Sequence, residues 1–158
     1  TALERQEILK KLGGTGHQIS LYTYDKEVAI PGVQNQGPVD YYDHMPNVFA
    51  NSKINLNITL RSIRTGIPLR AMDIMGSGGF LLSNYQEEFL QYFEPEEDFV
   101  YYEDTEDLLK KVEYYLSHDK ERMEIAQNGY RKMRENHTMQ SRAEEMLRVV
   151  VESSGEEC

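Results

Sequence analysis

Arg61, Arg64, Arg70 and Asp73 cluster in LRSIRTGIPLRAMDIMGSGG, Leu60 to Gly79. Arginine guanidinium groups present planar forks of donors that match phosphate oxygens better than a lysine point charge does. Pro68 suits the first turn of a helix, where a missing N–H costs little. The amides that open such a helix, around Ile67, Pro68, Leu69 and Arg70, lack intrahelical partners and carry the positive end of its dipole, so a phosphate placed there accepts them. Pro68 itself supplies no N–H. Gly66 permits close approach of backbone to ligand. Asp73 follows Arg70 by about one turn, and its carboxylate can accept both hydroxyls of a ribose. The spacing therefore predicts the phosphate and ribose end of a nucleotide site. Each residue also has a simpler role: Asp73 in an ion pair with Arg70 or Arg61, Arg64 solvated in a loop, the glycines as a helix C-cap. GSGG follows a helix and precedes a strand, the reverse of the dinucleotide fingerprint, and no GK[ST] element is present.

The elements around this stretch alternate between helix and strand. TALERQEILKKL reads as an amphipathic leading helix over residues 1–13, stopped by GGTG. HQISLYTY alternates and is rich in β-formers. VAIPGVQNQGPV reads as a loop with a short extended piece, and DYYDHMPNVFANS as a helix with Pro46 at a kink or restart. Lys53–Thr59, Gly79–Ser83 and Phe99–Tyr102 read as strands, and QEEFLQYF as a short helix. Three helices complete the chain: one capped by Asp104 or Thr105, one from about Lys120 to Glu135, and one over 139–152. Short apolar strands between helices predict an α/β domain, a Rossmann-like, mainly parallel sheet with helices on both faces. Ligands of such sheets sit beyond the carboxyl ends of the strands, which is where the arginine-rich loop leaves Lys53–Thr59. The strands from His17–Tyr24 onward are expected to lie parallel in one sheet.

The chain has 158 residues and a formal charge of −10, with 17 Lys and Arg against 27 Asp and Glu. That balance argues against broad binding to nucleic-acid backbone or anionic membrane. The single cysteine, Cys158, excludes an internal disulfide or a cysteine metal cluster. No run approaches membrane-span length, and a reducing cytoplasm is the expected setting. His17, His44, His118 and His137 show no metal-ligand spacing; His17 and His118 read as surface residues and His44 as a possible substrate contact. Asn136–Thr138 reads as a C-cap and N-cap between helices. The chain begins at Thr1, and a fragment of a longer protein is expected.

SKINLNITLRSIRTGIPLRAMDIMGSGGFLLSNY and FEPEEDFVYYEDTEDLLKKVEYYLSHDKERMEIAQNGYRKMRENHTMQSR together resemble the C-terminal half of GT-B fold glycosyltransferases, group 1 (GT4-like), in their CgeB-like branch. The likeness runs from about Val39 to Leu147. It implies that residues 1–158 form a nucleotide-sugar-binding, donor-side domain, whose acceptor-binding N-terminal partner domain is missing from this chain. The implied activity is transfer of a sugar, hexosyltransferase in type, from a nucleoside diphosphate to an unknown acceptor, with no obligatory metal and little or no turnover by the isolated chain. Related retaining enzymes carry two glutamates. The ribose-binding one aligns with Asp73 and the sugar-facing one with Thr65, so one acid is conservatively replaced and the other lost. That loss leaves open a second reading, a non-catalytic degenerate module for nucleotide or protein binding. Val39 and Tyr41 align with a segment along the base, with burial under the sheet as the alternative. In that fold the C-terminal segment crosses to the N-terminal domain. Here the last helix is expected to pack on its own domain or to expose Met146, Leu147, Val150 and Val151 as a dimerisation surface.

Overall fold

The computed structural model describes residues 2–59 and 66–155. Helix α1 (Ala2–Gly13) is followed by strands β1 (Ile19–Tyr22) and β2 (Val33–Gly37), helix α2 (Met45–Asn51), strand β3 (Asn55–Asn57), helix α3 (Leu69–Gly76) and strand β4 (Leu81–Asn84). A short 3-10 helix (Glu87–Gln91), strand β5 (Val100–Tyr102) and helices α4 (Thr105–Ser117), α5 (Asp119–Asn136) and α6 (Met139–Gly155) complete the order.

Strands β3, β4 and β5 form a parallel ladder in that order, with Asn55 opposite Leu81 and Leu82 opposite Val100. The short extended piece expected within VAIPGVQNQGPV is strand β2, and β1 takes it as its parallel partner, with Ile19 opposite Val33. This pairing differs from the sequence expectation. The segment His17–Tyr24 therefore contributes to a separate two-stranded ladder instead of joining β3–β5. The physical reason is local. Val33 to Gly37 offers an extended partner early in the chain, the next strand after β1, while Ile19 still packs against the same apolar cluster as Leu82 and Val100.

The central sheet is buried on both faces, as parallel sheets require. Successive residues alternate between two cores. On one face Phe80, Leu82, Val100 and Tyr102 meet Ile8 and Leu12 of α1, Leu108 and Tyr115 of α4 and Ile125 of α5. On the other, Leu81 and Phe99 meet Phe49 of α2, Ala71, Ile74 and Met75 of α3, Phe89 and Phe93, and Met133 of α5. Phe89 stacks on Phe99 with ring centroids 4.8 Å apart. Burying each such side chain contributes roughly 1.5–3 kcal/mol. Helix α5 reaches both cores because Gly129 lets its backbone close on the segment before β5: a Cβ there would lie 2.4 Å from the Asp98 carbonyl oxygen.

Helix ends follow their sequence signals. Asp104 Oδ1 accepts the amides of Glu106 and Asp107 at 2.8 and 2.9 Å and caps α4. Thr138 Oγ1 accepts the Ser141 amide at 3.1 Å at the start of α6. Along α6, Met146, Leu147, Val150 and Val151 are exposed, so the apolar stripe expected from the sequence stands on the surface. Among the described residues no helix is long and apolar enough to cross a membrane.

Candidate functional site

Strand β3 ends at Asn57, and the next described element is α3, which returns the chain to β4 beside it. This crossover sets the opening turn of α3 at the carboxyl edge of the sheet. Gly66 has φ +93, a left-handed conformation that favours glycine, with open space where a Cβ would stand. Ile67 packs against the Phe89 cluster and holds the entry to the helix. Pro68 is the N-cap, at φ −60 and ψ 132, one position earlier than the first-turn placement its sequence suggests. Its carbonyl accepts the Ala71 amide at 2.9 Å and the Met72 amide at 3.4 Å. The amides of Leu69 and Arg70 are therefore the ones at the helix mouth with no acceptor inside the helix. Leu69 and Arg70 are exposed.

Asp73, one turn into α3, is exposed and meets a residue from a distant part of the chain. The Tyr41 hydroxyl donates to Asp73 Oδ2 at 2.5 Å. Burial, then the hydrogen bond to Asp73 and its negative charge, push the Tyr41 phenol up to about 12, while the positive charge of Arg70 acts in the opposite direction. Asp73 makes no ion pair with Arg70, although both are described. Tyr41, Arg70 and Asp73 thus form one polar cluster at the mouth of α3. Tyr41 is 38% exposed and Val39 half-buried, so neither lies buried under the sheet. Arg61, Arg64 and Thr65 lie outside the described residues.

A second polar group at the same edge escaped sequence reading. Asn57 Nδ2 donates to Thr59 Oγ1 and to Ser83 Oγ, each at 3.0 Å, and the Thr59 amide donates to Asn84 Oδ1 at 2.7 Å. Asn57, Thr59 and Ser83 are buried, so these bonds offset the cost of taking polar groups from water. The available signal was NLN itself, two asparagines facing one side of a strand whose central leucine faces the other. The network holds the carboxyl ends of β3 and β4 together where the chain enters residues 60–65.

The other conspicuous residues lie elsewhere. His17 Nε2 meets Glu113 Oε1 at 2.6 Å, and His118 stacks on Tyr114 at 3.9 Å between centroids. His44 is exposed at the N-cap of α2 and makes no side-chain cap hydrogen bond. Among the described residues no three His, Cys, Asp or Glu side chains are grouped to hold a metal ion.

A family model described as glycosyl transferase-like matches residues 3–148. The chain belongs to the glycosyl transferase-like family. No curated protein matches it. The glycosyl transferase-like match runs from α1 into α6 and so contains both cores and every candidate residue. Membership supports glycosyl transfer as the general chemistry of this fold.

Proposed function

We propose that this chain is the donor-binding half of a GT-B glycosyltransferase of group 1, in the CgeB-like branch. It transfers a sugar from a nucleoside diphosphate to an acceptor held by a separate N-terminal domain. The observation that carries the reading is the cluster of Tyr41, Arg70 and Asp73 at the mouth of α3, beyond the carboxyl end of β3. Asp73 Oδ1 turns to the ribose hydroxyls while Tyr41 holds Oδ2. The helix-mouth amides and Arg70, together with Arg61 and Arg64, take the diphosphate. Thr65 serves the donor sugar, and Val39 the base.

Negative charge grows on the departing diphosphate as the glycosidic bond breaks. Fixed amide dipoles and guanidinium groups aimed at that charge lower the barrier, and loss of one such donor typically costs roughly 10²–10³ in rate. These groups supply the positive charge that the leaving group needs, so the reaction proceeds without an obligatory metal. The general base belongs to the acceptor-side domain, and the isolated chain binds donor with little turnover. The exposed stripe on α6 is the surface offered to that domain or to a second copy. The rival reading, a non-catalytic binding module, draws on Thr65 standing where related enzymes place an acid.

A thermal-shift screen against UDP, GDP, ADP, CDP and dTDP tests donor binding. A diphosphate at a hundred times its Kd raises stability by roughly 2.7 kcal/mol. No shift with any of the five would overturn the donor-site assignment. Sugar transfer by the full-length protein then separates the enzyme from the binding module.

A further inference from the structure

The 3-10 helix that follows β4 brings an acid to the same edge of the sheet. Phe89 is fully buried between α3 and β5 and anchors this short helix, while Ile67 packs against the same cluster from the other side. Between these anchors, the half-buried Glu88 carboxylate accepts the amide of Gly66 through Oε2. The acceptor is an anion, and such charge-assisted bonds are about twice as strong as neutral ones. Gly66 supplies the other half of the arrangement. Its φ of +93 turns the backbone into α3, a conformation that favours glycine. Ile67 packs beside this turn, and the Glu88 carboxylate adds a directional hold on the Gly66 amide itself. Glu88 is separated from Gly66 by the whole of α3 and β4, so the bond ties the loop before α3 to the segment after β4.

We propose that Glu88 is a positioning residue of the donor site: by holding the Gly66 amide it sets the entry of α3, and with it the direction of the Leu69 and Arg70 amides and the Arg70 side chain. This role rests on the donor-site reading above. Glu88 itself does not contact the diphosphate, because a second anion beside the phosphates would repel them. Its carboxylate is occupied by the backbone, and its effect on the donor passes through the turn.

The role predicts a pattern that general stabilisation would not produce. Glutamine keeps a carbonyl oxygen able to accept the Gly66 amide, whereas alanine removes the acceptor. Let the probe be whichever of UDP, GDP, ADP, CDP and dTDP the unaltered chain binds most tightly, titrated calorimetrically beside its parent nucleoside. Glu88→Ala should lower diphosphate affinity by about tenfold, in keeping with loss of one hydrogen bond to a charged group. Nucleoside affinity should stay within about twofold, since only the diphosphate reads the helix mouth. Glu88→Gln should restore most of the diphosphate affinity. Circular dichroism and melting curves establish that each variant is folded at the titration temperature. Equal loss for diphosphate and nucleoside, or no rescue by glutamine, overturns the positioning role while leaving the donor site intact. Tighter diphosphate binding by either variant also overturns it, and identifies Glu88 as a competitor for the phosphate position. If the unaltered chain binds none of the five diphosphates, the donor-site reading itself fails and the role of Glu88 falls with it.

Discussion

The Tyr41 hydroxyl sits 2.5 Å from Asp73 Oδ2, joining a turn before α2 to the middle of α3. The two residues lie on separate elements, and the bond engages one oxygen of the carboxylate. It also answers whether Asp73 serves an ion pair within its own helix. Its described hydrogen-bond partner is a phenol from elsewhere, with Arg70 acting on the same phenol.

Asp73→Asn should weaken nucleoside diphosphate binding by roughly 1.5–3 kcal/mol, the typical worth of a hydrogen bond to a charged group. Arg64→Ala should weaken diphosphate binding more than nucleoside binding. Calorimetric titration of both variants checks this. Unchanged affinities alongside a lowered melting temperature would show that these side chains serve the fold alone.

Burial and the Asp73 carboxylate push the Tyr41 phenol up to about 12 from the ordinary 10.0. A proton held more tightly in the folded state adds stability below the unfolded value. That contribution fades as pH rises from 10.0 toward about 12. Tyr41→Phe should therefore flatten the alkaline fall of stability across this window and remove one late phenol from the phenolate absorbance titration. Loss of a phenol titrating near the ordinary 10.0 instead would place Tyr41 in ordinary solvent.

His137 gives the opposite sign at acid pH. Its Nδ1 lies 2.8 Å from Arg142 Nη2, and an arginine only donates, so the ring nitrogen accepts. Burial, then the charges of Arg142 and Lys132, hold its proton affinity below the usual histidine value, against a smaller opposing effect of Glu145. Tyr92 and Phe93 flank the ring with centroids at 5.5 and 5.0 Å. The neutral ring stabilises the junction of α5 and α6 above the ordinary histidine pKa of 6.5, and this is lost as pH falls through the lowered folded value. Hydrogen exchange should show α6 opening on acidification before the central sheet does, and His137→Gln should blunt that dependence. Simultaneous opening of α6 and the sheet would rule out a local switch.

Gly129→Ala should destabilise the fold by about 1–3 kcal/mol, the usual cost of overpacking a core. The added methyl meets the Asp98 carbonyl, a backbone atom that cannot rotate away. The Lys132–Asp98 ion pair at 2.6 Å ties the same two segments and resists their separation. Chemical denaturation measures the change, and a variant as stable as the parent would mean that α5 shifts freely on β5.

Replacing Met146 and Leu147 together by glutamine should change the unfolding free energy of the domain by less than about 0.5 kcal/mol, because both are exposed. Sedimentation of the same variant tests α6 as an association surface. If the parent self-associates through α6, the variant should do so less. Equal self-association would assign any dimer to another face.

The α/β class, the helix order and the parallel strands β3–β5 were legible because they rest on local rules. Apolar runs mark strands buried on both faces, Asp104 is a cap by its side chain alone, and Pro68 with the glycines punctuates α3. Arg70 and Asp73 were also readable as neighbours, since helical spacing alone places them together. Long-range partners carry no local signature. The choice of Val33–Gly37 as the partner of β1 depends on which extended segment lies nearest once Ile19 is docked. Tyr41 meets Asp73, Glu88 meets Gly66, and Asn57 meets Ser83 only because the crossover through α3 folds distant segments onto one edge of the sheet. Residue type says that each of these groups needs a hydrogen-bond partner when buried or charged, and tertiary packing alone decides which partner it finds.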